Sequence, residues 1–132
     1  MTFVEWEPKY QLGVEQFDLH HQHLVGLLNE LYDKYATHKD DDALLRDAVS
    51  NLTEYADYHF TLEESWMLQV EYPAYDEHVL QHKQFIFKIV EFNHLYRTEK
   101  EHLALEIIAF LRRWLLDHIV QADGKYGAFI RR

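Results

Sequence analysis

Apolar residues recur through most of this chain at intervals of three and four, the spacing that places side chains on one face of an α-helix. Four stretches show this pattern, and the helices they predict cover about 18–38, 41–70, 73–98 and 100–120. Each stretch is polar on its other faces, which is typical of a helix that packs one side against a shared core. Short segments join the four, so the pattern predicts an all-α, up-down-up-down four-helix bundle.

Two residues mark predicted helix starts. Asp18 is expected to cap the first helix, because an aspartate side chain accepts hydrogen bonds from the free N–H groups of a first turn. Pro73 is expected to begin the third helix, because its φ is already helical and the N–H that it lacks is not needed there. An acidic run at 40–42 separates the first two helices.

The chain is predicted to form one domain in three parts. Residues 1–17 show no periodicity and are expected to form an extended arm across the bundle, with Trp6 as its anchor. The bundle is expected to span 18–120, and 121–132 are expected to form a C-terminal tail. With 132 residues, of which 48% are hydrophobic, the chain is long enough to bury a true core.

Charge and composition exclude several function classes. The formal net charge of −10 disfavours nucleic acid or an anionic membrane as a partner, since both require a basic face. The chain contains no cysteine, which excludes disulfides, iron–sulfur clusters and thiolate zinc sites. It begins without the features of a signal peptide and has no apolar run long enough to span a membrane. We therefore expect a cytoplasmic protein without a membrane span.

Every predicted helix carries polar residues at positions that its own periodicity assigns to the core. They are His21, His59, Glu63, His78, His82 and His118, with Asp123 following the last of them. His78 and His82 are four residues apart, so both imidazoles lie on one helix face. Buried imidazoles and carboxylates are unfavourable unless they are paired or bind metal, and this set is too large for mutual pairing to satisfy. It predicts a metal site.

Ligand type and spacing narrow the choice of metal. Imidazole and carboxylate donors without sulfur suit iron, manganese, copper or zinc, and seven donors suggest two ions rather than one. Val79 follows His78, so the H-E-x-x-H motif of zinc proteases is not formed here. The ferritin-like di-iron pattern requires paired E-x-x-H motifs on core faces, whereas Glu91 and His94, which have that spacing, lie off the core stripe.

Several of these residues fall into longer motifs that occur in a fixed order. The motifs are an N-terminal tryptophan (Trp6), D-x-x-H at 18–21, H-F-x-x-E-E at 59–64, Y-P-x-x-x-x-H-x-x-x-H at 72–82 and W-L-x-x-H-I-x-x-x-D-x-x-Y at 114–126. In this order and at these separations, the whole chain resembles the hemerythrin family, in particular its single-domain bacterial members.

The resemblance implies two non-heme iron ions inside the bundle. By the family pattern, one iron is held by His78, His82 and His118, and the other by His21 and His59. Glu63 and Asp123 bridge the two ions together with an oxo or hydroxo group. The second iron then has one donor fewer, which leaves a position for a small exogenous ligand.

Apolar residues beside the predicted ligands are expected to line that open position: Leu24, Phe60, Trp114, Leu115 and Ile119. A dry pocket without acids disfavours proton delivery and attack by water on the bound ligand. The resemblance therefore implies a non-enzymatic protein, expected to be a monomer, that binds O₂ reversibly for transport, storage or buffering. NO and azide are further small ligands that such a site could take.

Two alternative functions stay open. A di-iron redox enzyme that reduces NO or peroxide would need a proton donor near the open position, where the indole N–H of Trp114 is the only one among the five pocket residues. A sensor would pass the presence of O₂, or a redox state, to a partner protein in trans.

The first helix offers three neighbouring histidines. His21 lies on the most apolar line of the helix and fits the D-x-x-H motif. His23 shares its line with charged residues and is expected to face solvent. His20 is placed where it could contact a ligand rather than the metal, and the hemerythrins often have glutamine there.

The position of Asp123 is not explained by helical periodicity. It follows His118 by five residues and would point about 140° away from it on a regular helix. Either the helix is distorted at this point or the chain leaves it near 122–124. The assignment of Asp123 as a ligand rests on the resemblance.

Overall fold

The computed structural model describes residues 3–37, 42–96 and 103–131. Its elements are a 3₁₀ turn at Pro8–Tyr10, the helices α1 (Glu15–Thr37), α2 (Asp42–Gln69), α3 (Tyr75–Tyr96) and α4 (Leu103–Asp117), a π-helical segment at His118–Asp123 and the helix α5 (Gly124–Arg131). Each of the four long helices packs against the next, and α4 packs against α1. This closed order confirms the predicted all-α four-helix bundle.

Two apolar clusters fill the bundle. The larger lies among the four long helices and includes Leu28, Leu52, Phe85 and Leu111, none of which is exposed to solvent. The smaller lies where the arm, α1, α2 and α5 meet, and its buried members are Leu12, Phe17, Met67, Tyr72 and Tyr126. None of the described helices is both long and apolar enough to cross a bilayer.

The start of α1 differs from the prediction. The helix begins at Glu15, three residues before Asp18, and Asp18 is buried within the first turn. Its carboxylate accepts hydrogen bonds from the backbone N–H groups of Leu12 (2.7 Å) and Gly13 (3.1 Å). The prediction of Asp18 as the N-cap is therefore wrong. Its side chain instead serves the preceding loop, whose buried N–H groups require partners of their own.

The N-terminal arm is fastened to α1 by a pair of hydrogen bonds. The N–H of Val4 donates to Asn29 Oδ1 (2.7 Å), and Asn29 Nδ2 donates to the carbonyl oxygen of Val4 (2.8 Å). Phe3 stacks on Tyr32 with 4.2 Å between ring centroids. Trp6 is half-buried against the larger apolar cluster. These contacts hold the arm across the bundle.

The connection between α2 and α3 ends one helix and aligns the next. Glu71 has a φ of 54°, and the N–H of Tyr72 donates to the carbonyl oxygen of Met67 (2.9 Å), which is the hydrogen bond of a Schellman helix end. Pro73 lies in the turn that follows, and α3 begins at Tyr75, two residues later than predicted. The acidic run predicted to separate α1 from α2 lies mainly outside the described residues.

The helical path continues past residue 120, the predicted end of the bundle. The π-helical segment follows α4 without a break, and the N–H of Gly124 donates to the carbonyl oxygen of Ile119, five residues back. Residues Gly124–Arg131 then return to an α-helix whose Tyr126 is fully buried. The predicted tail is thus helical, because its aromatic side chain belongs to the smaller apolar cluster.

Candidate metal centre

The structure brings all seven predicted ligands into one buried cluster between the two apolar clusters. α1 supplies His21, α2 supplies His59 and Glu63, α3 supplies His78 and His82, and the π-helical segment supplies His118 and Asp123. None of the seven is more than 6% exposed. Their donor atoms form two groups, each within 4.8 Å: a five-residue group of Glu63, His78, His82, His118 and Asp123, and a four-residue group of His21, His59, Glu63 and Asp123.

The π-helical segment explains why Asp123 can join His118. Hydrogen bonds in a π-helix connect residues five apart, so each turn is wider and residues i and i+5 lie on nearly the same side. Asp123 Oδ1 is accordingly 3.1 Å from His118 Nε2. Of the two explanations that the sequence leaves open, the structure shows the distorted helix.

The two carboxylates each direct one oxygen to each group. Glu63 Oε1 lies 3.0 Å from the Nε2 atoms of both His78 and His82, while Glu63 Oε2 lies 3.1 Å from His59 Nε2. Asp123 repeats this arrangement: its Oδ1 is 2.7 Å from His78 Nε2, and its Oδ2 is 2.9 Å from His21 Nε2. Two carboxylates that face two sets of imidazoles in this way have the geometry of bridging ligands.

Hydrogen bonds on the outer side of the cluster fix the tautomers of two histidines. His82 Nδ1 donates to Glu64 Oε2 (2.8 Å), because an ionised carboxylate can only accept. His118 Nδ1 donates to Gln81 Oε1 (2.9 Å). In neutral rings, both Nε2 atoms then carry lone pairs, and they face each other at 3.1 Å. That contact is favourable only if a cation, either a proton or a metal ion, lies beside both nitrogens.

Other atoms of the cluster also fit a metal. Among the described residues, neither oxygen of Asp123 has a hydrogen-bond partner, although imidazole nitrogens are 2.7–3.1 Å away. Metal–ligand bonds of about 2.1 Å at right angles would separate neighbouring donor atoms by roughly 3 Å. The observed spacings match that value, so the residues present fit metal ions held between the imidazoles and the carboxylates.

The electrostatics of the cluster favour positive charge. Burial alone lowers the pKa of His21, but Asp123 and Glu63 outweigh it and raise the pKa to about 9. The same causes raise the pKa of His78 to about 9. Burial and Glu63 raise the pKa of Asp123, but His118 and His21 hold it well below its usual range. Glu63 and Asp123 thus stay ionised. Their negative charge favours protons or metal ions on the neighbouring imidazole nitrogens.

Among the described residues, four bond to the cluster from outside, and only His20 has a possible contact role predicted from the sequence. His20 Nδ1 lies 2.9 Å from His59 Nδ1, as its position allowed. Tyr126 donates its phenol O–H to Glu63 Oε2 (2.7 Å). Glu64 and Tyr126 belong to the motifs at 59–64 and 114–126, which could have identified them. The only sequence signal for Gln81 is that it directly precedes His82.

All five predicted pocket residues are at least half-buried, and two of them stack on histidines of the cluster. Leu24, Phe60, Leu115 and Ile119 are buried, and Trp114 is half-buried. Phe60 stacks on His82 with 3.9 Å between ring centroids, and Trp114 stacks on His118 at 4.3 Å. These two rings therefore cover the five-residue group.

Comparisons with known proteins show which family this chain belongs to. The family model "Hemerythrin HHE cation binding domain" matches residues 12–130. A bacteriohemerythrin of Clostridium acetobutylicum is 28% identical over 124 residues, which cover 92% of this chain and 96% of the relative. A myohemerythrin of Riftia pachyptila is 27% identical over 121 residues, covering 92% and 88%. A solved structure of wild-type hemerythrin has the same fold, with a TM-score of 0.86, 22% identity and 96% coverage of both chains. The chain therefore belongs to the hemerythrin family.

Proposed function

We propose that this protein binds O₂ reversibly at a non-heme di-iron centre. The observation that carries the proposal is the bridging geometry of Glu63 and Asp123, each of which directs one oxygen to each group of imidazoles. On this assignment, His78, His82 and His118 hold one iron, and His21 and His59 hold the other. Relatives named bacteriohemerythrin and myohemerythrin support iron as the metal.

The two groups differ in their number of donors, and this difference indicates where O₂ binds. Three imidazoles belong to the five-residue group, whereas the four-residue group has two. A small molecule is therefore expected on the side of His21 and His59. Two ferrous ions held by these residues would supply the two electrons that O₂ takes up. NO and azide would compete for the same position.

Three of the predicted pocket residues are proposed to keep that side dry. Leu24, Leu115 and Ile119 are each no more than 2% exposed, and none carries a group that could donate a proton. Exclusion of water and acids disfavours hydrolysis and protonation of a bound ligand, which favours its release unchanged. An enzyme that reduces NO or peroxide would require a proton supply, which these three residues do not provide. The phenol O–H of Tyr126 does lie on this side, but it is donated to Glu63 Oε2.

Metal analysis combined with absorption spectroscopy tests the proposal. The purified protein, reconstituted with ferrous iron, is expected to contain two irons per chain. Its visible spectrum should change under air and return under argon over repeated cycles. Sustained turnover of NO or peroxide would instead support the enzyme, and a zinc or single-ion content would contradict the di-iron proposal.

Two further proposals concern the state of the protein. We infer that it works as a monomer in the cytoplasm, as expected from the sequence. Sedimentation of the iron-loaded protein should give the mass of one 16.0 kDa chain. A dimer that forms only with O₂ bound would support the sensor alternative.

A further inference from the structure

Two histidines of the five-residue group differ in the charge of the side chain that holds them. His82 donates through Nδ1 to a carboxylate, that of Glu64, at 2.8 Å. His118 donates through Nδ1 to an amide, that of Gln81, at 2.9 Å. The two bonds have the same direction and nearly the same length, so the main difference between them is one negative charge.

That charge acts on the metal-binding nitrogen. A carboxylate that accepts the outer N–H of an imidazole fixes the ring and raises the electron density of the inner nitrogen. A richer donor stabilises a ferric ion more than a ferrous ion, because the ferric ion carries the larger charge. A neutral amide fixes the ring equally well but adds little to its donor strength.

We propose that Glu64 is a positioning residue that sets the redox preference of the iron bound by His82, and that the neutral Gln81 limits the same effect on His118. This inference rests on the proposed di-iron function. Glu64 would favour the oxidised state and thereby shorten the lifetime of the ferrous protein in air. With one charged and one neutral partner, the midpoint potential would lie between the values for two carboxylate partners and for two amide partners.

Both positions can be exchanged without repacking. Glu64 has a side chain 27% exposed and borders a groove of about 420 Å³ between α2 and α3. Gln81 borders a groove of about 590 Å³ between α3 and α4. Glutamate and glutamine have the same shape, so Glu64→Gln removes a charge while an acceptor remains, and Gln81→Glu adds a charge at the matching bond.

The chain also provides a control that changes the charge of the groove without changing the hydrogen bond to His82. Asp57 is exposed and borders the same groove as Glu64, but within the described residues it makes no hydrogen bond to His82. Asp57→Asn therefore removes one negative charge from the groove and leaves the His82 bond intact.

Spectroelectrochemistry of the iron-loaded protein measures the effect. Each ferrous ion gives one electron to the electrode on oxidation, and no protein group is oxidised. We expect Glu64→Gln to raise the midpoint potential, Gln81→Glu to lower it, and Asp57→Asn to leave it nearly unchanged. A tenfold change in the preference for ferric over ferrous iron corresponds to about 59 mV.

A second measurement does not depend on iron redox chemistry. Competition with a chelator gives the Co²⁺ affinity of the metal-free protein, which should fall about tenfold or more in Glu64→Gln but not in Gln81→Glu. The Co²⁺ affinity can also be measured for a variant that fails to retain iron. Circular dichroism of each variant reports whether it is folded.

The outcomes separate the inference from the function on which it rests. Opposite shifts in the two isosteric variants support the role of Glu64. Potential shifts of the same sign, a shift in Asp57→Asn as large as in Glu64→Gln, or equal losses of Co²⁺ affinity would overturn it. A wild-type protein that takes up no iron would instead overturn the proposed function.

Discussion

Tyr126 of α5 donates its phenol O–H to Glu63 Oε2 of α2 over 2.7 Å, although the two residues lie 63 positions apart in sequence. Tyr126 is fully buried and also stacks on His78, with 5.7 Å between ring centroids. The phenol thereby holds the oxygen of Glu63 that faces His59, while its ring supports a histidine of the other group. This contact ties the last helix of the chain to the cluster.

Loss of that hydroxyl should weaken the fold. Tyr126→Phe is expected to lower the free energy of unfolding of the metal-free protein by about 1–3 kcal/mol, since a buried carboxylate oxygen loses its donor. Urea denaturation measures the change. Tyr58→Phe is the control, because Tyr58 is 54% exposed, and it should change stability by no more than about 0.5 kcal/mol. Equal effects of the two substitutions would contradict the role of the hydrogen bond.

Removal of a proposed ligand should prevent formation of the di-iron centre. His118→Ala deletes one donor of the five-residue group, and we expect fewer than two irons per chain by elemental analysis after reconstitution. His94→Ala removes an exposed histidine outside both groups and should leave the iron content unchanged. Retention of two irons by His118→Ala would show that His118 is not a required ligand.

A charge introduced into the dry side of the site should shorten the life of the ferrous protein. Leu115 is 2% exposed, so Leu115→Glu brings a carboxylate and water into the proposed pocket. Oxidation to the ferric state in air should accelerate about tenfold or more. The added carboxyl group and the water that it admits can supply protons, which help O₂ to leave as peroxide. Leu105→Glu, on the exposed face of the same helix, is the matched control. An unchanged oxidation rate in folded Leu115→Glu would reject the dry-pocket argument.

The metal-free protein should lose stability in alkaline solution. His21 and His78 have pKa values raised to about 9 by the two carboxylates, above the ordinary value of 6.5. Such groups contribute stability that is fully present below about pH 6.5 and is lost as the pH rises through about 9. Thermal unfolding followed between pH 6 and pH 10 should therefore show a Tm that falls by roughly 5 °C or more. A Tm that rises over this range would contradict the assignment.

The iron-loaded protein should behave differently. Metal ions replace the protons of the cluster, so its Tm should change less in alkaline solution. In acid, protons displace the metal because the ligands must be deprotonated to bind. Iron content measured after dialysis at decreasing pH should fall progressively.

The sequence by itself determined the helices and most of the inward-facing donors. His78 and His82, like His59 and Glu63, are four residues apart, and that spacing places each pair on one helix face before any tertiary contact forms. The apolar stripes around them predict which face turns inward. Periodicity is a local property of the chain, which is why these predictions could be made without coordinates.

Only the tertiary structure decided how the donors meet. Asp123 reaches His118 because the helix widens into a π-helical segment, a distortion that the residue pattern does not specify. Asp18 turned to the loop before α1 because the buried N–H groups of that loop needed acceptors. The Glu64 and Gln81 contacts likewise join different helices. Such contacts depend on how helices pack, and packing is set by the whole core rather than by neighbours in sequence.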